Sequence, residues 1–138
     1  MDLSEQIRIL DFPEMGDERG NLVVIEGMSA VPFEIRRVFY MYGSDAEVRR
    51  GCHANKRSHF VLVNVAGQSK VLVDNGHEKQ IVSLDKPRMG LYIPNNIWKE
   101  MYEFSPDSVL LVLSDQHYDG EEYIRDYDQF LQMIGGNE

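Results

Sequence analysis

The chain is 138 residues long, with 43% hydrophobic and 27% charged residues, a composition that predicts one packed domain over 1–138 without disulfide staples. A formal net charge of −9 argues against a surface built for nucleic acid or anionic membrane, and no apolar run reaches bilayer-spanning length. The lone cysteine, Cys52, cannot form an internal disulfide, and no signal-like segment opens the chain, so a cytoplasmic protein is expected.

In chain order, Ile7, Ile9 and Phe12 have strand-like spacing and predict an edge strand or arm. Residues 17–21 form a turn by composition, and 22–25 read as a short strand. After the break at Pro32, residues 35–42 are rich in strand formers. Alternation puts Ile35, Arg37, Phe39 and Met41 on one face, and Arg36, Val38, Tyr40 and Tyr42 on the other.

Residues 49–59 then concentrate Arg49, Arg50, Lys56 and Arg57 with His53, His59 and the amide Asn55. A solvated charged loop before a strand is the plain reading of such a run. Two histidines in the same neighbourhood favour a site, and a local positive cluster on an acidic body suits a small anionic ligand. Cys52 has basic neighbours that would activate a thiol, yet a small packing residue beside the site is its expected role.

Strands are predicted at 60–65 and 69–73, joined by Ala66-Gly67-Gln68 as a hairpin. Asp74-Asn75-Gly76 is the strongest short hairpin signal in the chain. Further strands follow at 80–84, 90–93, 97–104 and 109–113, separated by Gly, Pro and Asn turns. This spacing predicts an all-β sandwich or barrel. Only the tail differs: apolar residues at three- and four-residue intervals predict an amphipathic helix over 121–134, ended by Gly135-Gly136.

Gly51, His53, Asn55, His59 and Gly67, followed by Pro87, Gly90 and Lys99, resemble the two motifs of a cupin. The resemblance implies a double-stranded β-helix jelly roll with the C-terminal helix appended. In metal-binding cupins the ligand positions carry histidines and a glutamate. Here Asn55 and Lys99 stand among them, and an amide or ammonium makes a poor transition-metal ligand, so neither metal nor other cofactor is expected.

More of the chain resembles one family within the cupins, the 3,4-ketoisomerases of nucleotide-linked 4-keto-6-deoxyhexoses. The resemblance is carried by Asp17-Glu18-Arg19-Gly20-Asn21-Leu22, Pro32-Phe33-Glu34-Ile35-Arg36-Arg37-Val38, Arg50-Gly51-Cys52-His53-Ala54, Val71-Leu72-Val73-Asp74-Asn75-Gly76, Gly90-Leu91-Tyr92-Ile93-Pro94, Trp98-Lys99-Glu100-Met101, and a tail from Tyr118-Asp119 through Tyr123-Ile124-Arg125 to Phe130. It implies a metal-free proton transfer through an enediol-like intermediate on a dTDP-linked sugar, in a homodimer.

His53 matches the first histidine of the family's His-x-His pair and is the expected base. Asn55 replaces the second histidine, and Phe39 stands where a tyrosine is expected, on the substrate side. Lys99 is expected to polarise an oxyanion. His59, six residues on from His53 and of the same strand parity, restores a second imidazole if it points into the barrel, or else is a rim or core histidine. Arg19, Arg37 and Arg50, with Lys56 or Arg57, are expected to hold the diphosphate through guanidinium forks. Tyr92 and Trp98 would stack on the base or sugar, or else pack the core. The alternative reading is a nucleotide-sugar-binding module that has lost or altered catalysis.

Overall fold

In the computed structural model, which describes residues 2–135, the strands fall into two facing five-stranded antiparallel sheets. A short helix α1 (Leu3–Gln6) leads into β1 (Arg8–Asp11); the hairpin β2 (Glu14–Asp17) and β3 (Gly20–Val23) stands apart from both sheets. Then come β4 (Arg37–Tyr42), β5 (Arg50–Asn55), β6 (Phe60–Ala66), β7 (Ser69–Asp74), β8 (Lys79–Leu84), β9 (Met89–Ile93), β10 (Trp98–Tyr102) and β11 (Val109–Ser114). The two-residue strand β12 (Tyr123–Ile124) and helix α2 (Tyr127–Gly135) close the described chain. Sheet one runs β1-β9-β6-β11-β4, and sheet two runs β12-β5-β10-β7-β8. This is the predicted all-β jelly roll of cupin type with a C-terminal helix.

Alternation decides where the core sits. Phe60 and Leu62 of β6 point between the sheets with Leu91, Leu110 and Val112, and meet Val71, Val73, Val82 and Met101 of sheet two. Val61 and Val63 point the other way, into a second cluster with Phe12, Val31, Phe33 and Leu113. With apolar neighbours on both faces, β6 has no polar side over Phe60–Val63, which accounts for its unbroken apolar sequence. A third cluster, Ala54, Trp98, Ile124 and Phe130, fixes α2 against the outside of sheet two.

Three expectations need correction. Ala66-Gly67-Gln68 is no hairpin, because β6 and β7 lie in different sheets and the link turns the corner between them. Gly67 has φ +65°, and a Cβ there would sit 2.4 Å from Ser105 Oγ, so the corner requires glycine. Residues 49–55, read as a polar cluster, contain a strand, β5. The tail helix begins only at Tyr127, since residues 120–122 make a 3-10 turn and β12 pairs with β5. Asp126 starts the helix: its Oδ1 accepts the N–H groups of Asp128 at 2.8 Å and Gln129 at 3.3 Å. Of the predicted Gly135-Gly136 ending, Gly136 lies outside the described residues. Among the described residues no helix is long and apolar enough to cross a membrane.

Candidate active site

Between the sheets, at the β4–β5 end, lies a cavity of about 210 Å³. Its apolar wall is Phe39, Met41, Phe60, Leu62, Met101 and Val112, and its polar groups are Arg50, His53, Lys99, Tyr123 and Arg125. None of these lining residues is acidic. The cavity therefore offers concentrated positive charge on a body whose net charge is −9.

A bulge in β5 makes this arrangement possible. In the β5–β10 ladder His53 pairs with Lys99 while Gly51 pairs with Glu100, so Cys52 is one residue too many. Gly51 (φ +78°) and Cys52 (φ +56°) both take left-handed backbone to absorb it. As a result Arg50 and His53, three residues apart, line the same cavity, which an unbroken strand would forbid. Cys52 packs at the edge of the third cluster, and burial, helped by Glu100, pushes its thiol pKa up. That environment suits packing rather than nucleophilic attack.

His53 meets the Tyr123 ring edge-on, with centroids 4.8 Å apart. Its Nδ1 is buried without a hydrogen-bond partner among the described residues. Burial, and then the charges of Lys99 and Arg125, push its pKa down to about 3, so the imidazole is neutral near pH 7 and carries no excess proton. Lys99 is 3% exposed. Its Nζ lies 4.6 Å from the Phe60 ring centroid and donates to Asn55 Oδ1 at 3.2 Å. Burial pushes Lys99 down to about 7, with Glu122 acting in the opposite direction. Asn55 is fully buried behind Lys99, at the end of β5.

Arg37 comes from the inward face of β4, as alternation predicts, while Tyr40 and Tyr42 face outward. Its Nη1 donates to the Tyr123 hydroxyl at 3.4 Å, and its guanidinium lies over the rings of Phe39, Phe60 and Tyr118. Nε and Nη2 of Arg37 are buried without partners among the described residues. Buried donors of this kind are costly unless a ligand satisfies them.

The structure thus brings together His53, Asn55, Lys99, Phe39, Arg37 and Arg50. It places the other predicted residues elsewhere. His59 is not on the strand of His53: it precedes β6, where Nδ1 meets Asp115 Oδ2 at 2.9 Å and the ring stacks on Tyr92. Tyr92 alternates with the inward-facing Leu91 and Ile93, and packs on the outer side of sheet one with Phe33. Trp98 lies outside sheet two against Tyr127 and Phe130. Arg19 stands on the β2–β3 hairpin, exposed and paired with Asp17 at 2.5 Å. Arg57 pairs with Asp119 at 2.7 Å and Lys56 is exposed, so neither lines the cavity.

Tyr123 and Arg125 were missed as site residues. Helical periodicity assigns them to the tail helix, whereas β12 pairs Tyr123 with Asn55 and so delivers both to the cavity. A Tyr-Ile-Arg alternation, with Ile124 buried between two polar neighbours, was the available signal.

Sheet order and a basic, apolar-walled cavity between the sheets define a cupin whose site holds one neutral imidazole beside one buried amine. A family model described as WxcM-like, C-terminal (FdtA) matches residues 5–135. The chain is 41% identical over 127 residues to a TDP-4-oxo-6-deoxy-alpha-D-glucose-3,4-oxoisomerase of Aneurinibacillus thermoaerophilus, covering 92% of this chain and 91% of that protein. Two crystal structures superpose closely. A 3,4-ketoisomerase from Helicobacter canadensis has TM-score 0.91 and 39% identity, covering 94% of this chain and 97% of the other. A sugar 3,4-ketoisomerase from Thermoanaerobacterium thermosaccharolyticum, in complex with TDP, has TM-score 0.94 and 35% identity, covering 98% of each. The chain belongs to this family of sugar 3,4-ketoisomerases.

Proposed function

We propose that this protein moves the keto group of a dTDP-linked 4-keto-6-deoxyhexose from C4 to C3 without a metal or organic cofactor. The observation that carries the reading is the half-buried His53 imidazole, neutral and with a buried Nδ1 unpartnered among the described residues, facing a cavity next to Lys99. Relatives named for this reaction share 35–41% of the sequence over nearly the whole chain, which supports the assignment.

The C4 carbonyl acidifies the C–H at C3. His53 removes that proton, and the electron pair shifts towards O4 to give an enediolate. Lys99, with its pKa near neutrality, donates to the developing oxyanion, and the Asn55 carbonyl holds the amine in place. A proton then returns to C4 and the O3 hydroxyl loses its own, leaving the ketone at C3. Every proton is conserved, so no external oxidant or reductant is required.

A cavity of about 210 Å³ is small beside ordinary ligand pockets of roughly 300–1,000 Å³. The sugar accordingly occupies it, while the nucleotide runs out along the rim. Arg37, Arg50 and Arg125 supply guanidinium groups for the diphosphate, and Phe39 supports the sugar face. The 138-residue chain acts as one cupin domain in the cytoplasm. It works as a homodimer in which the apolar residues left exposed on the β2–β3 hairpin, Met15 and Leu22, are covered. Incubation with dTDP-4-keto-6-deoxyglucose in deuterated water tests the reading. Deuterium entering the hexose with formation of the 3-keto product is expected; neither occurring in the wild type would overturn it.

A further inference from the structure

Behind the cavity wall is a carboxylate that the reaction scheme leaves without a task. Glu122 ends the 3-10 turn and is 1% exposed. Its Oε1 accepts the backbone N–H groups of Arg57 at 2.9 Å and Ser58 at 2.8 Å, Oε2 accepts the Ser58 hydroxyl, and its carbonyl accepts the N–H of Lys56 at 3.0 Å. Four donors therefore fix it to the turn between β5 and β6. Burial alone would raise this carboxyl; the Ser58 and Arg57 donors outweigh burial and hold it below its ordinary value. It is a permanent anion near neutral pH.

The charges around Lys99 are otherwise unfavourable or absent. His53 and Arg50 face it from β5, Arg125 from beyond β12, and Arg37 shares the Phe60 ring from β4. Lys99 touches no carboxylate among its described contacts, and its hydrogen bond goes to the neutral Asn55. Backbone pairing sets Glu122 beside Asn55: Tyr123 lies across from Asn55 in the β5–β12 ladder, and the Lys56 N–H donates to the Glu122 carbonyl at 3.0 Å. Asn55 in turn holds the Lys99 amine at 3.2 Å, so the anion stands one residue behind the amine's partner, where its charge favours the ammonium.

We propose that Glu122 is a positioning residue of the reaction: its anchored carboxylate, set behind Asn55, is the fixed counter-charge to the Lys99 side chain that reaches the cavity. This role rests on the isomerase reading for its catalytic meaning, but its electrostatic part stands without turnover. An ordinary turn-stabilising glutamate would affect folding and leave the amine alone.

The test follows the Lys99 side chain by NMR in protein carrying labelled lysine, with Lys99→Met assigning the signal. Glu122→Gln keeps one oxygen to accept the Arg57 and Ser58 N–H groups, puts an amide donor opposite the Ser58 hydroxyl, which can turn to accept it, and removes the charge. Its Lys99 titration is expected about one pH unit below that of the wild type, and kcat at pH 7 about 5-fold lower with KM nearly unchanged. Ser58→Ala loosens the turn and keeps the charge, so it is expected to lower Tm with little movement of the titration. If Glu122→Gln fails to fold, Glu122→Asp, with its charge drawn back by one methylene, is expected to show a smaller downward shift. A titration unmoved in the folded Glu variant overturns the proposal, whatever happens to Tm. Absent turnover in the wild type with a shifted titration would instead count against the isomerase reading alone.

Discussion

Lys99 of β10 lies directly across from His53 of β5 in the ladder, so the amine and the imidazole are neighbours on one cavity wall. The charge on Lys99 adds to burial in keeping His53 unprotonated. Two basic groups that repel each other's protons suit the separated tasks proposed for them, one accepting from carbon while the other stabilises oxygen.

Removing the imidazole should therefore abolish carbon chemistry and spare binding. His53→Ala is expected to slow deuterium exchange at C3 by about 100- to 10,000-fold. Its affinity for dTDP, measured calorimetrically, should stay within about threefold of wild type, because the diphosphate is assigned to guanidinium groups worth more than one imidazole contact. A large loss of nucleotide affinity would place His53 at the diphosphate instead.

The same two groups set how stability depends on pH. In the unfolded chain Lys99 titrates near 10.5, and in the fold near 7, so between these values the unfolded chain binds more protons. Stability contributed by Lys99 therefore rises with pH over that window, and below about 7 its full penalty is present. His53 falls from 6.5 to about 3, so its contribution is lost as pH drops through that lower window. Lys99→Met is expected to raise stability at pH 7 by on the order of 1–4 kcal/mol and to flatten the rise above pH 7. Urea midpoints of both proteins at pH 5, 7 and 9 check this, and parallel curves would contradict the burial argument.

The arginines should separate by their environment. Arg37 carries two buried nitrogens without partners, whereas Arg57 is already paired with Asp119 at the surface. Arg50→Ala and Arg37→Met are each expected to weaken dTDP binding by about 10- to 100-fold, the scale of a charge-assisted hydrogen bond. Arg57→Ala should change it by less than about threefold, as exposed ion pairs rarely matter to a site they do not line. Titration calorimetry at two salt concentrations reads both effects.

How far these assignments could be read from sequence follows from what side-chain period encodes. Alternation over β4 correctly put Arg37 and Phe39 inward and Tyr40 outward, because a strand with one buried face carries its orientation in its own pattern. His59 fails for the same reason. The parity count from His53 assumes one uninterrupted strand, but the chain leaves sheet two after Asn55 and enters sheet one at Phe60. Tyr92 and Trp98 are aromatic residues whose outward partners, Phe33 and His59 or Tyr127 and Phe130, lie far away in sequence. Only tertiary pairing distinguishes such packing from ligand stacking. Arg125 was hidden by a tail whose apolar spacing satisfies helix and strand alike until β12 pairs with β5.

His59 supplies a direct contrast with His53. Its ring is held by Asp115 and Tyr92 outside the cavity, so His59→Ala is expected to leave kcat within about threefold and to lower stability by about 0.5–2 kcal/mol. Parallel exchange assays and thermal melts on the two alanine variants would show the dissociation. A drop in kcat for His59→Ala comparable with that of His53→Ala would mean that a second imidazole reaches the substrate.

The bulge itself is the sharpest structural test, since it alone brings Arg50 and His53 to one cavity. At Gly51 an added Cβ would lie 3.0 Å from Met101 Sδ and 3.1 Å from the Lys99 carbonyl, with φ at +78°. The methionine can move; the β10 backbone cannot without shifting Lys99. Left-handed backbone for a residue with a Cβ costs on the order of 1–3 kcal/mol, so Gly51→Ala should lower stability by that amount. If the strand instead relaxes by straightening, Arg50 turns away from the cavity, and nucleotide affinity falls together with turnover. Gly135→Ala, at a glycine with open space around its Cβ position, is the matched control and should change neither. Melts, dTDP titration and C3 exchange on both variants decide it: a Gly51→Ala protein as stable and as active as wild type would mean that the bulge does not position the site.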